Sequence, residues 1–171
     1  MTRSFLSDQR GVASVEFALA AVLIMTAMLN AVDVGEYVYQ SMQVENAVQM
    51  GVQTALQSCT AIQLPATTTC SGLNNRITTA VASTSLGSNV TIDGGNPTEG
   101  YYCVNTANAL VQVGTIGSKP ATCAAAGNSS VAPGDYIVVA VSFPFEALFS
   151  GAGVGAMLTT PIRRSAIMRL G

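Results

Sequence analysis

The sequence predicts an α+β protein: a long N-terminal helix, transmembrane in its first part and amphipathic in its second, packed on a small antiparallel β-sheet domain. Three observations predict it. The run Val12–Val32 is predominantly apolar and carries a single charge, Glu16. Beyond it, Val44, Val48, Val52 and Ala55 recur at helical spacing. Segments rich in β-branched and aromatic residues come only later in the chain, separated by turn signals. Helices first and strands afterwards is the order of an α+β fold, not of an alternating parallel one. The predicted organisation is a basic cytoplasmic leader over 1–11, a transmembrane helix over 12–34, an amphipathic helix continuing it over 35–58, and an extracytoplasmic α+β domain over 59–171.

The first helix is long enough to span a bilayer. Val12–Val32 covers 21 residues, or about 31 Å as an α-helix, against a hydrocarbon core of about 30 Å. The run holds no glycine and no proline, and it lacks the polar face of a surface helix. Arg3, Arg10 and the chain amine precede it, against one Asp8. Asp33, Glu36 and Glu45 follow, with no basic residue until Arg76. The positive-inside rule therefore puts the leader in the cytoplasm and the remainder across the membrane. A cleaved secretory signal fits less well, because the apolar stretch is longer than an h-region and Ala18-Leu19-Ala20 lies inside it.

The amphipathic repeat predicts that the same helix continues to about Gln57, with the chain's own sheet as the cover for its apolar face. Leu73, Ile77, Ala80 and Val81 share one face of a second, short helix, for which Gly87 is the expected C-cap. Asp93-Gly94-Gly95-Asn96-Pro97 is a turn. Strands are predicted at Asn89–Ile92, Gly100–Val104, Leu110–Val113, Tyr136–Phe143 and Pro161–Leu170. The run Ile137–Val141 is apolar at every position, as in a central strand. The last segment alternates only in part, as at an edge.

Composition excludes several functions. Charged residues make up 9% of the 171, against roughly 25% in soluble domains. The net charge of −2, with no basic run longer than two, gives a nucleic acid no footprint. Histidine is absent, which removes the commonest general base and metal ligand. No catalytic residue, metal site or cofactor is predicted. Gly151-Ala152-Gly153-Val154-Gly155 lacks the closing Lys-Ser/Thr of a phosphate loop and reads as a plain loop. Asp93 and Glu99 flank a turn and read as solvated. Cys59, Cys70, Cys103 and Cys123 contain no C-x-x-C pair, and all lie beyond the apolar run. An even count there predicts two disulfides in an oxidising compartment. Of the three connectivities possible, proximity in sequence favours Cys59–Cys70 with Cys103–Cys123.

The residues abutting the span carry the functional signal. Arg10-Gly11-Val12-Ala13-Ser14-Val15-Glu16-Phe17 puts a glycine between basic residues and an apolar run, with a carboxylate just inside that run. An intramembrane carboxylate is costly, so it points to a function and a partner. The pattern resembles the processing site of type IV prepilins. There a membrane-embedded prepilin peptidase cuts after the glycine, and glutamate is the fifth residue of the mature chain. Counting from Val12, Glu16 is the fifth. The resemblance implies that cleavage frees an amine on Val12, with which a neighbouring subunit's Glu16 pairs. More narrowly, the chain resembles TadE-like proteins of Tad (Flp) pilus systems. The similarity runs from RGVASVEFALAAVLIM through the exit Asp33-Val34-Gly35-Glu36 and the segment Ser41–Ala55, and again in DYIVVAVSFPFEALF and SAIMRL. It implies a non-enzymatic minor pilin or pseudopilin, of TadE or TadF type, with a pilin-like fold, in a bacterial inner membrane. Its implied partners are the prepilin peptidase, other major and minor pilins, the Tad inner-membrane assembly platform and membrane lipid. The competing expectation is a single-pass anchor for a periplasmic binding or adhesion domain that never enters a filament.

Overall fold

The structure is a computed structural model that describes residues 10–149 and 153–171, with side chains from Gly11 onward. The predicted leader, apart from its last two positions, and Gly151 and Ala152 of the glycine-rich loop lie outside the described residues. The chain divides into two compact units. A single helix, α1 (Arg10–Ser58), contributes to both.

The first unit comprises α1 up to Tyr39 together with Glu146–Thr159. From Gly11 to Met28 only Ala21 is less than exposed. Leu19, Leu23 and Phe17 are each about two-thirds exposed or more. Such a surface is stable where the surroundings are as apolar as the side chains. The helix is long and apolar enough to cross a membrane, with a mean hydropathy of 2.2 over its best window.

The second unit comprises Gln40–Phe145 and Thr160–Gly171. Here α1 is buried along one stripe: Val44, Ala47, Val48, Val52 and Ala55 are fully inaccessible. The cover is the chain's own sheet and the helix α3 (Leu73–Ala82), as the repeat predicted. A one-turn helix, α2 (Ala66–Thr69), precedes α3. The sheet holds β1 (Thr91–Ile92), β2 (Thr98–Val104), β3 (Leu110–Thr115), β4 (Gly134–Phe143) and β5 (Ile162–Arg169). All its pairings are antiparallel. β4 is central. One edge pairs with β5 from Tyr136↔Arg169 to Phe143↔Ile162. The other is shared by β2, at Thr98↔Val138, and β1, at Ile92↔Val141. β3 extends the sheet beyond β2.

Gly51 sets how closely α1 approaches this layer. A Cβ there would meet Val81 Cγ2 at 3.1 Å and Val139 Cγ1 at 3.2 Å, so α3 and β4 press on the helix at one point. Gly51→Val is expected to lower the unfolding free energy by about 1–3 kcal/mol through overpacking, despite its better helix propensity. Thermal denaturation followed by circular dichroism measures this, with the exposed Gly35→Val as the reference.

Several expectations are corrected. α3 ends at Ala82, not at Gly87. The Ser83 and Thr84 hydroxyls donate to the carbonyls of Ala80 and Val81 and close the helix early. Gly87, at φ 60°, opens a 3₁₀ turn instead. That turn consumes the start of the strand predicted over Asn89–Ile92 and leaves only Thr91–Ile92. β4 is central, but just one face is closed. Ile137, Val139 and Val141 are fully buried, while Val138 and Ala140 on the opposite face are half-buried. β5 is an edge strand, with exposed Arg163, Arg164 and Arg169 guarding it against further pairing.

Candidate functional site

The predicted processing and assembly residues all lie at the start of α1. Gly11 is in its first turn, and its carbonyl accepts a hydrogen bond from Ser14 Oγ at 2.8 Å. A Cβ at Gly11 would meet nothing within 4 Å, so no packing demands glycine there. Val12 is 57% and Phe17 74% exposed. Glu16 is exposed between them, a carboxylate on an apolar cylinder. Among the described residues no basic group is paired with it. Its partner therefore comes from outside the described part of the chain, or the charge is left unpaired in an apolar setting.

The acidic exit of the span is not the solvated flank it resembles. Asp33 is 1% exposed. Its Oδ1 accepts hydrogen bonds from the backbone N–H groups of Leu148 at 3.0 Å and Phe149 at 3.3 Å. One turn earlier, Asn30 Oδ1 accepts from Val154 N–H at 2.6 Å, and Asn30 Nδ2 donates to Thr26 O. Two side chains of α1 thus hold both ends of the segment that contains the glycine-rich loop. The close approach explains two of its glycines. A Cβ on Gly153 would fall 1.9 Å from Asn30 Oδ1, and one on Gly155 would fall 2.6 Å from Ala147 Cβ and 3.0 Å from Asp33 Oδ2. These two glycines admit neighbouring side chains.

In the second unit, Glu99 corrects another expectation. It is 8% exposed, not solvated. Its carboxylate accepts from Ala66 N–H and Thr67 N–H, each at 2.7 Å, and from Thr67 Oγ1 at 2.5 Å, which satisfies the first donors of α2. On the adjacent strand, Asp135 is 6% exposed. Tyr101 pairs with Asp135 across the ladder, so Glu99, two residues from Tyr101, lies on the same face as Asp135. Burial, then the negative charge of Glu99, then a hydrogen bond with it, raise the Asp135 carboxyl to about 6, with Lys119 opposing. The Lys119 ammonium stands 5.0 Å over the Tyr101 ring. Burial, Asp135 and Glu99 together push the Tyr101 phenol upward. This carboxyl pair escaped the sequence reading because nothing local distinguishes Glu99 from a turn residue. The arrangement ties α2 to the sheet. No group of three or more Cys, Asp or Glu side chains that could hold a metal ion occurs among the described residues.

The cysteines pair as Cys59–Cys70 and Cys103–Cys123. The first bond fastens the end of α1 to the segment before α3, and the second ties β2 to the loop leading to β4. Each closes a short loop, for about 3 kcal/mol of chain-entropy stabilisation.

Residues 11–53 match the family model described as TadE-like protein. The match begins at Gly11, includes Glu16, Asn30 and Asp33, and ends within the buried stripe of α1. It agrees with the resemblance read from the N-terminal motif and is consistent with a TadE-like pilin of Tad pilus systems. The C-terminal strands that contributed to that resemblance lie outside it. No curated protein and no solved structure matches the chain.

Proposed function

We propose that this chain is a minor pilin, or pseudopilin, that acts in assembly of a Tad (Flp)-type pilus after a prepilin peptidase removes the leader at Gly11. The TadE-like match and the candidate membrane helix near the N-terminus fit a membrane-anchored, pilus-associated protein. The observation that carries the finer reading is Glu16, exposed without an ion-pair partner among the described residues, five positions after that glycine in the apolar first part of α1. The chemistry follows from these residues. Gly11 is a poor helix former with no contact to lose. Its turn opens at little cost, and the extended backbone enters a protease cleft. Hydrolysis of the Gly11–Val12 peptide leaves an ammonium on Val12. When helices bundle, that ammonium and the Glu16 carboxylate of an adjacent subunit neutralise each other in a medium where neither is tolerated alone. The uncleaved chain lacks this cation, so processing gates assembly. The domain beyond the helix is periplasmic in this reading, and its two disulfides suit that oxidising compartment. The partners are the peptidase, other major and minor pilins, the Tad inner-membrane platform and membrane lipid.

The test is the mature N-terminus. Mass spectrometry of the protein extracted from membranes with an active prepilin peptidase is expected to find Val12 first. The full-length form should accumulate when the peptidase gene is deleted. An N-terminus upstream of Val12 in peptidase-positive cells rejects the prepilin reading and leaves the single-pass anchor.

A further inference from the structure

We infer that residues 146–149 and 153–159 form an interfacial membrane contact: they are clasped to α1 at the level where the helix leaves the bilayer, with apolar side chains that enter the lipid headgroup region. The inference rests on the membrane-spanning reading of α1. Asp33 lies 21 residues beyond Val12, or about 31 Å along the helix, which is the far boundary of a hydrocarbon core about 30 Å thick. At that level the loop's backbone is held by Asn30 and Asp33 through the N–H groups of Leu148, Phe149 and Val154. Those three donors are satisfied, so they bring no unpaired N–H groups into lipid.

Its side chains point to the same surroundings. Leu148 is 64%, Phe149 38%, Val154 37% and Met157 85% exposed. In the whole stretch from 146 to 159 the only charged residue is Glu146. Exposed apolar residues at this density mark a surface with a partner. Of the possible partners, lipid is favoured by continuity. The patch adjoins the exposed apolar surface of α1 within one compact unit, and it stands where aromatic and aliphatic side chains concentrate at membrane interfaces. The clasp also explains why an aspartate ends the span. Asp33 serves as a backbone acceptor for the loop, and its burial keeps the carboxylate from facing lipid.

The chain has no tryptophan, so single substitutions report on position without background. Leu23→Trp, Phe149→Trp and Met157→Trp are made in the full chain, which is reconstituted into phosphatidylcholine vesicles. Leu23→Trp should be quenched chiefly by deep-doxyl lipid. Phe149→Trp and Met157→Trp should emit at shorter wavelength than free N-acetyltryptophanamide and be quenched more by shallow-doxyl lipid than by aqueous iodide. Deep quenching at position 23 with iodide quenching of both loop tryptophans at the rate of the free standard overturns the interfacial contact and spares the spanning helix. Loss of deep quenching at position 23 removes the spanning helix, and the inference falls with it.

Discussion

Glu16→Gln is expected to abolish association with other pilin subunits while leaving membrane insertion and leader cleavage intact. The substitution keeps the shape and a hydrogen-bond acceptor and removes only the charge. Gly11 and the basic flank are unchanged, so the peptidase should still produce a chain that begins at Val12. Insertion should improve for Glu16→Leu, since a carboxylate near the end of an apolar run costs about 2–3 kcal/mol. Assembly moves the other way. The ammonium of a neighbouring Val12 then lacks its counter-charge, and leaving one partner of a buried pair uncompensated costs about 3–5 kcal/mol, or a loss of roughly two to four orders of magnitude in association. Pull-down of co-expressed minor pilins and counts of surface pili report the result. Normal piliation with both Glu16→Gln and Glu16→Leu means that the charge pair does not drive assembly, and the simple anchor becomes the better reading.

Glu99→Ala and Asp135→Asn should change stability in opposite directions at pH 7, although the two side chains face each other. Glu99→Ala strips the buried Ala66 N–H and the half-buried Thr67 N–H of their acceptor. At about 1–3 kcal/mol for each unsatisfied donor, a loss of several kcal/mol follows, and it should be visible as loosening of the segment around α2 by hydrogen exchange. Asp135→Asn keeps a hydrogen-bond donor toward Glu99 and removes a carboxyl that burial disfavours in its charged form. The folded chain holds the Asp135 proton up to about pH 6, whereas an unfolded aspartate loses it near pH 4. Between those limits the native state binds more protons. The Asp135 contribution is therefore fully present below about pH 4 and is lost as pH rises through 6. The wild-type chain should lose roughly 1–3 kcal/mol relative to Asp135→Asn between pH 4 and pH 7. Urea denaturation of both proteins across that range measures the difference. Parallel stability curves show that Asp135 titrates as an ordinary carboxylate.

Patterns that repeat within one element were legible in the sequence. The apolar span, the Val44–Ala55 stripe and the strand segments at β2 to β5 follow from periodicity, because each reports where a single element meets water. The carboxylate inside the span was legible for the same reason: its cost is set by immediate neighbours. The cysteines could be counted, and proximity in sequence favoured the pairing that the fold shows. Long-range polar contacts were not legible. Glu99 meets Ala66 across 33 positions, and Asp33 meets Leu148 across 115. Nothing in the local sequence of either acid distinguishes it from a solvated turn or flank. Whether such a residue is buried depends on which backbone donors the fold brings to it. Gly153 and Gly155 are similar: as sequence they are loop residues, and only the packed loop reveals the asparagine and aspartate that leave no room for a Cβ. The sequence by itself determined the elements and the membrane-edge motif, because these are local partitions between water and oil. The tertiary structure alone decided the sheet order, the clasp at Asn30 and Asp33 and the carboxyl pair at Glu99 and Asp135, because each depends on groups far apart in the chain satisfying one another's hydrogen bonds.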